Sequence, residues 1–181
     1  MRVRNTAAGF GLLTKFLHWA TALLIIGLIV LGWYMVDLTY FDRWYNTSLS
    51  VHRALGMVVF ALGVLTLLWR AMSPSPGPQA SLKRWERQLA SATHHLLLLM
   101  VFAIPISGYL ISTSAGKAID FFGWFEIPAL ISVDEALRDI AIEVHFYLAY
   151  ATAGLVCLHA GAALKHQFID RDGTLARMLW R

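Results

Sequence analysis

The sequence predicts an all-α protein, a four-helix bundle integral to a membrane, with residues 1–181 forming one membrane domain. Three observations carry that expectation. Of the 181 residues, 58% are hydrophobic and 14% are charged, against roughly 45–50% and about 25% in an average soluble domain. The apolar residues gather into four runs, each close to the ~20 residues a helix needs to cross a ~30 Å hydrocarbon layer. The length leaves little room for a separate soluble domain beside them, so any chemistry must use the spans themselves.

The first run covers 16–36. Arg2, Arg4 and Lys15 precede it in the manner of a signal peptide. The run is too long for one, however, and it ends in Trp33-Tyr34-Met35-Val36-Asp37 without a small-residue cleavage site, so an uncleaved span is expected. The second run, 49–69, is followed by the helix-breaking linker Ser73-Pro74-Ser75-Pro76-Gly77-Pro78 and the basic residues Lys83, Arg84 and Arg87. The third covers 89–111 and the fourth 140–164. Between them the loop 112–139 carries Phe121-Phe122-Gly123-Trp124-Phe125 and Ile127-Pro128, too aromatic for a freely solvated linker. Part of it is expected to rest on the bundle or on the membrane interface. Trp33-Tyr34 and Trp44-Tyr45 read as interface anchors, and Lys15 and Glu143 as snorkelling or end-facing charges.

The formal charge of +4 becomes an orientation once the spans are drawn. With the N-terminus inside, only Arg43, Arg53, Lys117 and Arg138 fall outside, while the other cations, from Arg2 to Arg181, fall inside. The positive-inside rule therefore places both termini in the cytoplasm and accounts for the basic balance without nucleic acid. The single Cys157 excludes an intrachain disulfide, a Cys-based zinc site and a thiolate-ligated iron–sulfur cluster.

Seven histidines remain, in a chain where polar groups are costly. Span direction gives each a depth. His18, His94, His95 and His159 lie toward the inner face, with His166 beyond the end of the fourth span, and His52 and His145 lie toward the outer face. His145 and His159 are 14 residues apart, which on a helix places them within about 40° of one face and about 21 Å apart along the axis. Each has a counterpart at matching depth, His52 for the outer layer and His18 or His94 for the inner. Such a pair can clamp a flat macrocycle from both faces by bis-imidazole ligation of haem iron, which favours electron transfer over oxygen binding. Ala22, Gly56, Ala149 and Ala163 stand one turn after His18, His52, His145 and His159, where a porphyrin needs a small neighbour, whereas Leu98 and Leu99 follow His94 and His95 at that spacing. That favours His18 as the inner partner. A histidine alone in a span can instead bond a neighbouring helix; the joint pattern of spacing and depth argues against that reading for these four.

In order and spacing the chain resembles the bacterial cytochrome b561 family of four-helix dihaem membrane proteins. The resemblance is carried by Lys15 to His18-Trp19, His52 with Gly56, and Trp69-Arg70. It continues in His94 with Pro105-Ile106-Ser107-Gly108-Tyr109, in Phe122-Gly123 and Ile127-Pro128, and in His145 and the run His159 to His166. Ser91 stands where the family often has a further histidine. The resemblance implies two haem b, with His18 and His159 as axial ligands of the inner iron and His52 and His145 of the outer, and His94 near the inner haem without ligating it. It also implies a multi-pass protein of the bacterial inner membrane. One branch of the family oxidises superoxide at the outer face and passes the electron to ubiquinone, so a superoxide:ubiquinone oxidoreductase is the leading expectation. Lys83, His94 and His166 are then candidates for a quinone site at the inner end. The chief alternative is a haem-bearing subunit that serves a separate dehydrogenase or hydrogenase, docked to a small redox partner. A His-lined transporter is a third reading, disfavoured because the span interiors hold no carboxylate apart from Glu143 near an end.

Overall fold

In the computed structural model, which describes residues 2–7 and 9–179, four long helices run in alternating directions. They are α1 (Leu12–Val36), α2 (Tyr45–Met72), α3 (Arg84–Thr113) and α4 (Glu135–Phe168). All four are long and apolar enough to cross a membrane. A short helix, α5 (Thr174–Leu179), follows α4. Arg181, counted above among the inner cations, lies outside the described residues.

The helices extend past the apolar runs because their ends are polar and project beyond the hydrocarbon. The 34 residues of α4 span about 51 Å against a core of about 30 Å. Hydropathy registers only the middle of such a helix. The start of α4 is set by Asp134, whose side chain accepts a hydrogen bond from the Leu137 N–H.

Packing runs α1 on α2, α2 on α3 and α3 on α4, while α4 meets α1 only lightly. The buried positions are small or slender, among them Ala54, Val59, Gly63, Val101 and Thr152. Leu23, Val30, Leu65, Leu68 and Leu158 are more than half exposed on the outside of the bundle. This inversion is what a lipid solvent produces, since helices there gain from close backbone approach and nothing from hiding leucine. A Cβ at Gly63 would come within 2.6 Å of the Val101 side chain, so α2 and α3 approach there to a distance that only glycine permits.

The described terminal segments lie at one end of the bundle. Asn5 bonds Ser73 at the end of α2 through its backbone N–H to Oγ and its amide to the carbonyl, both at 2.9 Å. The Trp69 indole donates to Thr14 Oγ1, which donates to Asn5 Oδ1. The Trp19 indole donates to the Met178 carbonyl of α5 at 3.0 Å. Lys15, expected to snorkel, is 8% exposed at the foot of α1, because the N-terminal segment folds back over that end.

The opposite end carries a feature absent from the all-α expectation. Strand β1 (Ile119–Phe121) pairs antiparallel with β2 (Phe125–Ile127), with Ile119 opposite Ile127. The turn places Phe122 and Gly123 at φ 54° and 72°, and Asp120 accepts the Gly123 N–H. Three-residue strands are too short to show an alternating pattern. Ile119 is buried while Trp124 is 80% exposed, so one side of the hairpin rests on the bundle and its aromatic tip projects. The Tyr109 hydroxyl holds the following segment, donating to the Pro128 carbonyl at 2.8 Å and accepting the Leu130 N–H at 2.7 Å.

Candidate functional site

Two pairs of histidines face each other inside the bundle. His18 of α1 meets His159 of α4 with ring centres 6.1 Å apart and planes at 63°. His52 of α2 meets His145 of α4 at 6.2 Å and 64°. Two imidazoles bound to opposite faces of one metal, each through a nitrogen about 2.0–2.1 Å from it, have ring centres about 6.3 Å apart. Both pairs stand at that separation. The donor set fits as well, since neutral imidazoles across an apolar gap are what haem iron accepts at its two axial positions.

His94 is brought to the same His159, but at 5.1 Å and 70°. That is more than an ångström short of the separation across a metal, so His94 packs against the inner pair as its neighbour. The adjacent His95 turns back on its own helix, its Nδ1 lying 2.7 Å from the Ser91 carbonyl.

The His52–His145 pair has a support that the sequence does not reveal. His145 Nδ1 lies 3.1 Å from the Ile104 carbonyl and 3.0 Å from Ser107 Oγ, both on α3. The Ser107 hydroxyl donates its own proton to Ile104, so its lone pairs face the ring. Nδ1 therefore carries the proton and Nε2 is left bare, the form that binds metal. Gly108 admits the ring, since a Cβ there would lie 3.2 Å from His145 Cε1. By contrast, His52 Nδ1 is buried with no hydrogen-bond partner among the described residues. A Cβ at Gly56, one turn along from His52, would meet no atom within 4 Å, in keeping with the small neighbour a macrocycle requires.

The three quinone candidates do not converge. His94 lies against the inner pair, but Lys83 caps the start of α3, 11 residues earlier, or about 16 Å along the axis. His166 joins a separate ion network. Lys165 Nζ bonds Glu86 at 2.8 Å and Asp170 at 2.7 Å, and His166 Nδ1 lies 2.6 Å from Asp170 and 3.6 Å from Asp172. Glu86, His166 and Asp170 are spaced closely enough to hold a metal ion, yet the Lys165 ammonium already lies between the two carboxylates. The cluster reads as an ionic staple joining α3, α4 and the tail, and Lys83 touches it through its N–H on Glu86.

Comparison with known proteins agrees with this architecture. The family model described as prokaryotic cytochrome b561 matches residues 9–181. The chain is 43% identical over 179 residues to cytochrome b561 homolog 2 of Escherichia coli (strain K12), covering 99% of this chain and 95% of that one. It is 26% identical over 170 residues to cytochrome b561 homolog 1 of the same organism, covering 92% and 94% of the two chains. It is 27% identical over 165 residues to the probable superoxide oxidase CybB of Yersinia pestis, covering 90% and 91%. With four apolar helices and a match over nearly its whole length, the chain belongs to the prokaryotic cytochrome b561 family, multi-pass proteins of the bacterial inner membrane that bind haem b and carry electrons.

Proposed function

We propose that this protein holds two haem b, one between His18 and His159 and one between His52 and His145, and moves electrons across the membrane between them. The observation that carries this reading is the pair of ring separations, 6.1 and 6.2 Å, repeated at two levels of one helix. Haem iron supplies a one-electron couple when bound. The protein's part would be to hold each haem between two imidazoles, His18 with His159 and His52 with His145, which would leave oxygen no free position, and to fix those rings in an apolar bundle.

The positive-inside count supports a cytoplasmic placement of both termini, and with them of the His18–His159 level. The hairpin and the His52–His145 level then face the periplasm. Electrons enter at the periplasmic pair and leave at the cytoplasmic pair to ubiquinone. His94, against His159, is the candidate to meet the quinone. Lys83 and His166 lie further toward water, where they serve proton exchange rather than direct contact.

Superoxide is the donor we favour, with Arg53 beside His52 as the local attraction for an anion. Arg53→Ala is expected to lower superoxide-driven haem reduction several-fold at low salt and to flatten its salt dependence. Purified protein should be reduced by enzymatically generated superoxide and reoxidised by ubiquinone. Reduction that is unchanged by removing superoxide would overturn the choice of donor.

A redox protein as donor is supported by a different observation. The periplasmic segments carry eight carboxylates, Asp37, Asp42, Asp120, Glu126, Asp134, Glu135, Asp139 and Glu143, against four cations. One of those cations, Arg138, is paired to Asp139 at 2.9 Å. A field of that sign repels an anion at long range. Co-purification with a dehydrogenase or hydrogenase subunit would decide for this reading.

A further inference from the structure

We propose that Ser107 positions His145 and, with the Ile104 carbonyl, strengthens that ring's donation to the periplasmic haem iron, lowering this site's potential. The inference rests on His145 being an axial ligand.

The Ile104 carbonyl has two lone pairs and accepts from both the Ser107 hydroxyl at 2.8 Å and the His145 ring at 3.1 Å. Ser107 is itself 4% exposed, so its hydroxyl has little access to water, and its orientation is fixed by the bond to Ile104. Its lone pairs therefore stay on His145 Nδ1 at 3.0 Å. Gly108 completes the seat, because any larger residue would press on the same ring at 3.2 Å. Three contacts within little more than one turn of α3 thus fix one imidazole of α4.

Hydrogen bonding to the non-ligating nitrogen pushes electron density toward the ligating one and favours the oxidised metal. His52, across the same site, has its Nδ1 unpartnered among the described residues. The tuning at this level therefore acts through His145 alone. Removing the Ser107 acceptor leaves the Ile104 carbonyl in place, so the expected result is a shifted potential with the haem retained.

The test is a spectroelectrochemical titration of the purified, haem-loaded protein and its Ser107→Ala and Ser107→Thr variants, with haem b counted per chain. His145→Ala, which loses the periplasmic haem, identifies that haem's wave by its absence. Ser107→Ala is expected to raise this wave by about threefold in its equilibrium constant, about 28 mV at 59 mV per decade for one electron. The cytoplasmic wave should stay in place, and Ser107→Thr, which keeps the hydroxyl, should restore the wild-type value. If Ser107→Ala instead loses only the periplasmic haem and Ser107→Thr keeps it, the positioning role also stands. A Ser107→Ala wave that does not move, or that falls, overturns the proposal while leaving the ligand assignment intact. Two haems retained by His145→Ala would overturn the ligand assignment, and the role of Ser107 with it.

Discussion

His18 and His94 both approach His159, at separations that suit different parts in the proposed site. At 6.1 Å His18 stands where a metal fits between the rings, and at 5.1 Å His94 does not. His18→Ala is therefore expected to reduce the haem count from two to one per chain, and His94→Ala to leave it at two while slowing quinone reduction. Pyridine haemochrome assays on both variants check this, and loss of a haem from His94→Ala alone would reverse the assignment. The facing pairs were legible in the sequence because histidines are rare in membrane spans and a 14-residue interval fixes both face and depth. The choice between His18 and His94 was only weakly legible, through the small residue one turn on, because an ångström of separation has no signature in sequence. The seat of His145 was less legible still. Half of it is the Ile104 backbone carbonyl, which any residue at that position would supply.

At the scale of the element, the bundle depends on places where helices meet without side chains between them. Gly63 is the tightest, with Val101 2.6 Å from where a Cβ would stand and Phe102 at 3.0 Å. Gly63→Leu should force α2 from α3, at a cost of about 1–3 kcal/mol from overpacking, read as a lower thermal midpoint in detergent. Gly56→Ala, where a Cβ meets nothing within 4 Å of the protein, should leave helix packing unchanged and act on haem retention instead. The middles of the helices were legible because twenty apolar residues in a row have few other uses. Their ends were not, because α2 and α4 continue as polar helix into water, where helical spacing and loop composition look alike. The hairpin escaped notice for a related reason. Its strands are three residues each, and their aromatic content reads equally as an interface anchor.

Across the whole molecule, the end that carries both termini is held by ion pairs and indole hydrogen bonds, the opposite end by a hairpin and a tyrosine clamp. Asp170, beyond the end of α4, has its carboxyl held below the ordinary aspartate range, chiefly by the hydrogen bond from Lys165. A carboxylate lowered in the folded state contributes stability above its unfolded pKa and loses it as pH falls through the folded value. The tail from Asp170 onward should therefore stay docked at neutral pH and loosen in acid, below about pH 4. Proteolytic nicking of the tail as a function of pH measures this, and Asp170→Asn should nick faster than wild type at neutral pH and show a smaller increase in acid. Between the two ends, the account depends on one claim, that four helices of this length hold two haems stacked across the membrane. The most direct measurement is the haem b content of the purified, dithionite-reduced protein by pyridine haemochrome, set against protein mass. Two haems per chain, falling to one when either His159 or His145 is replaced, is the predicted result. One haem per chain in the wild-type protein would contradict it.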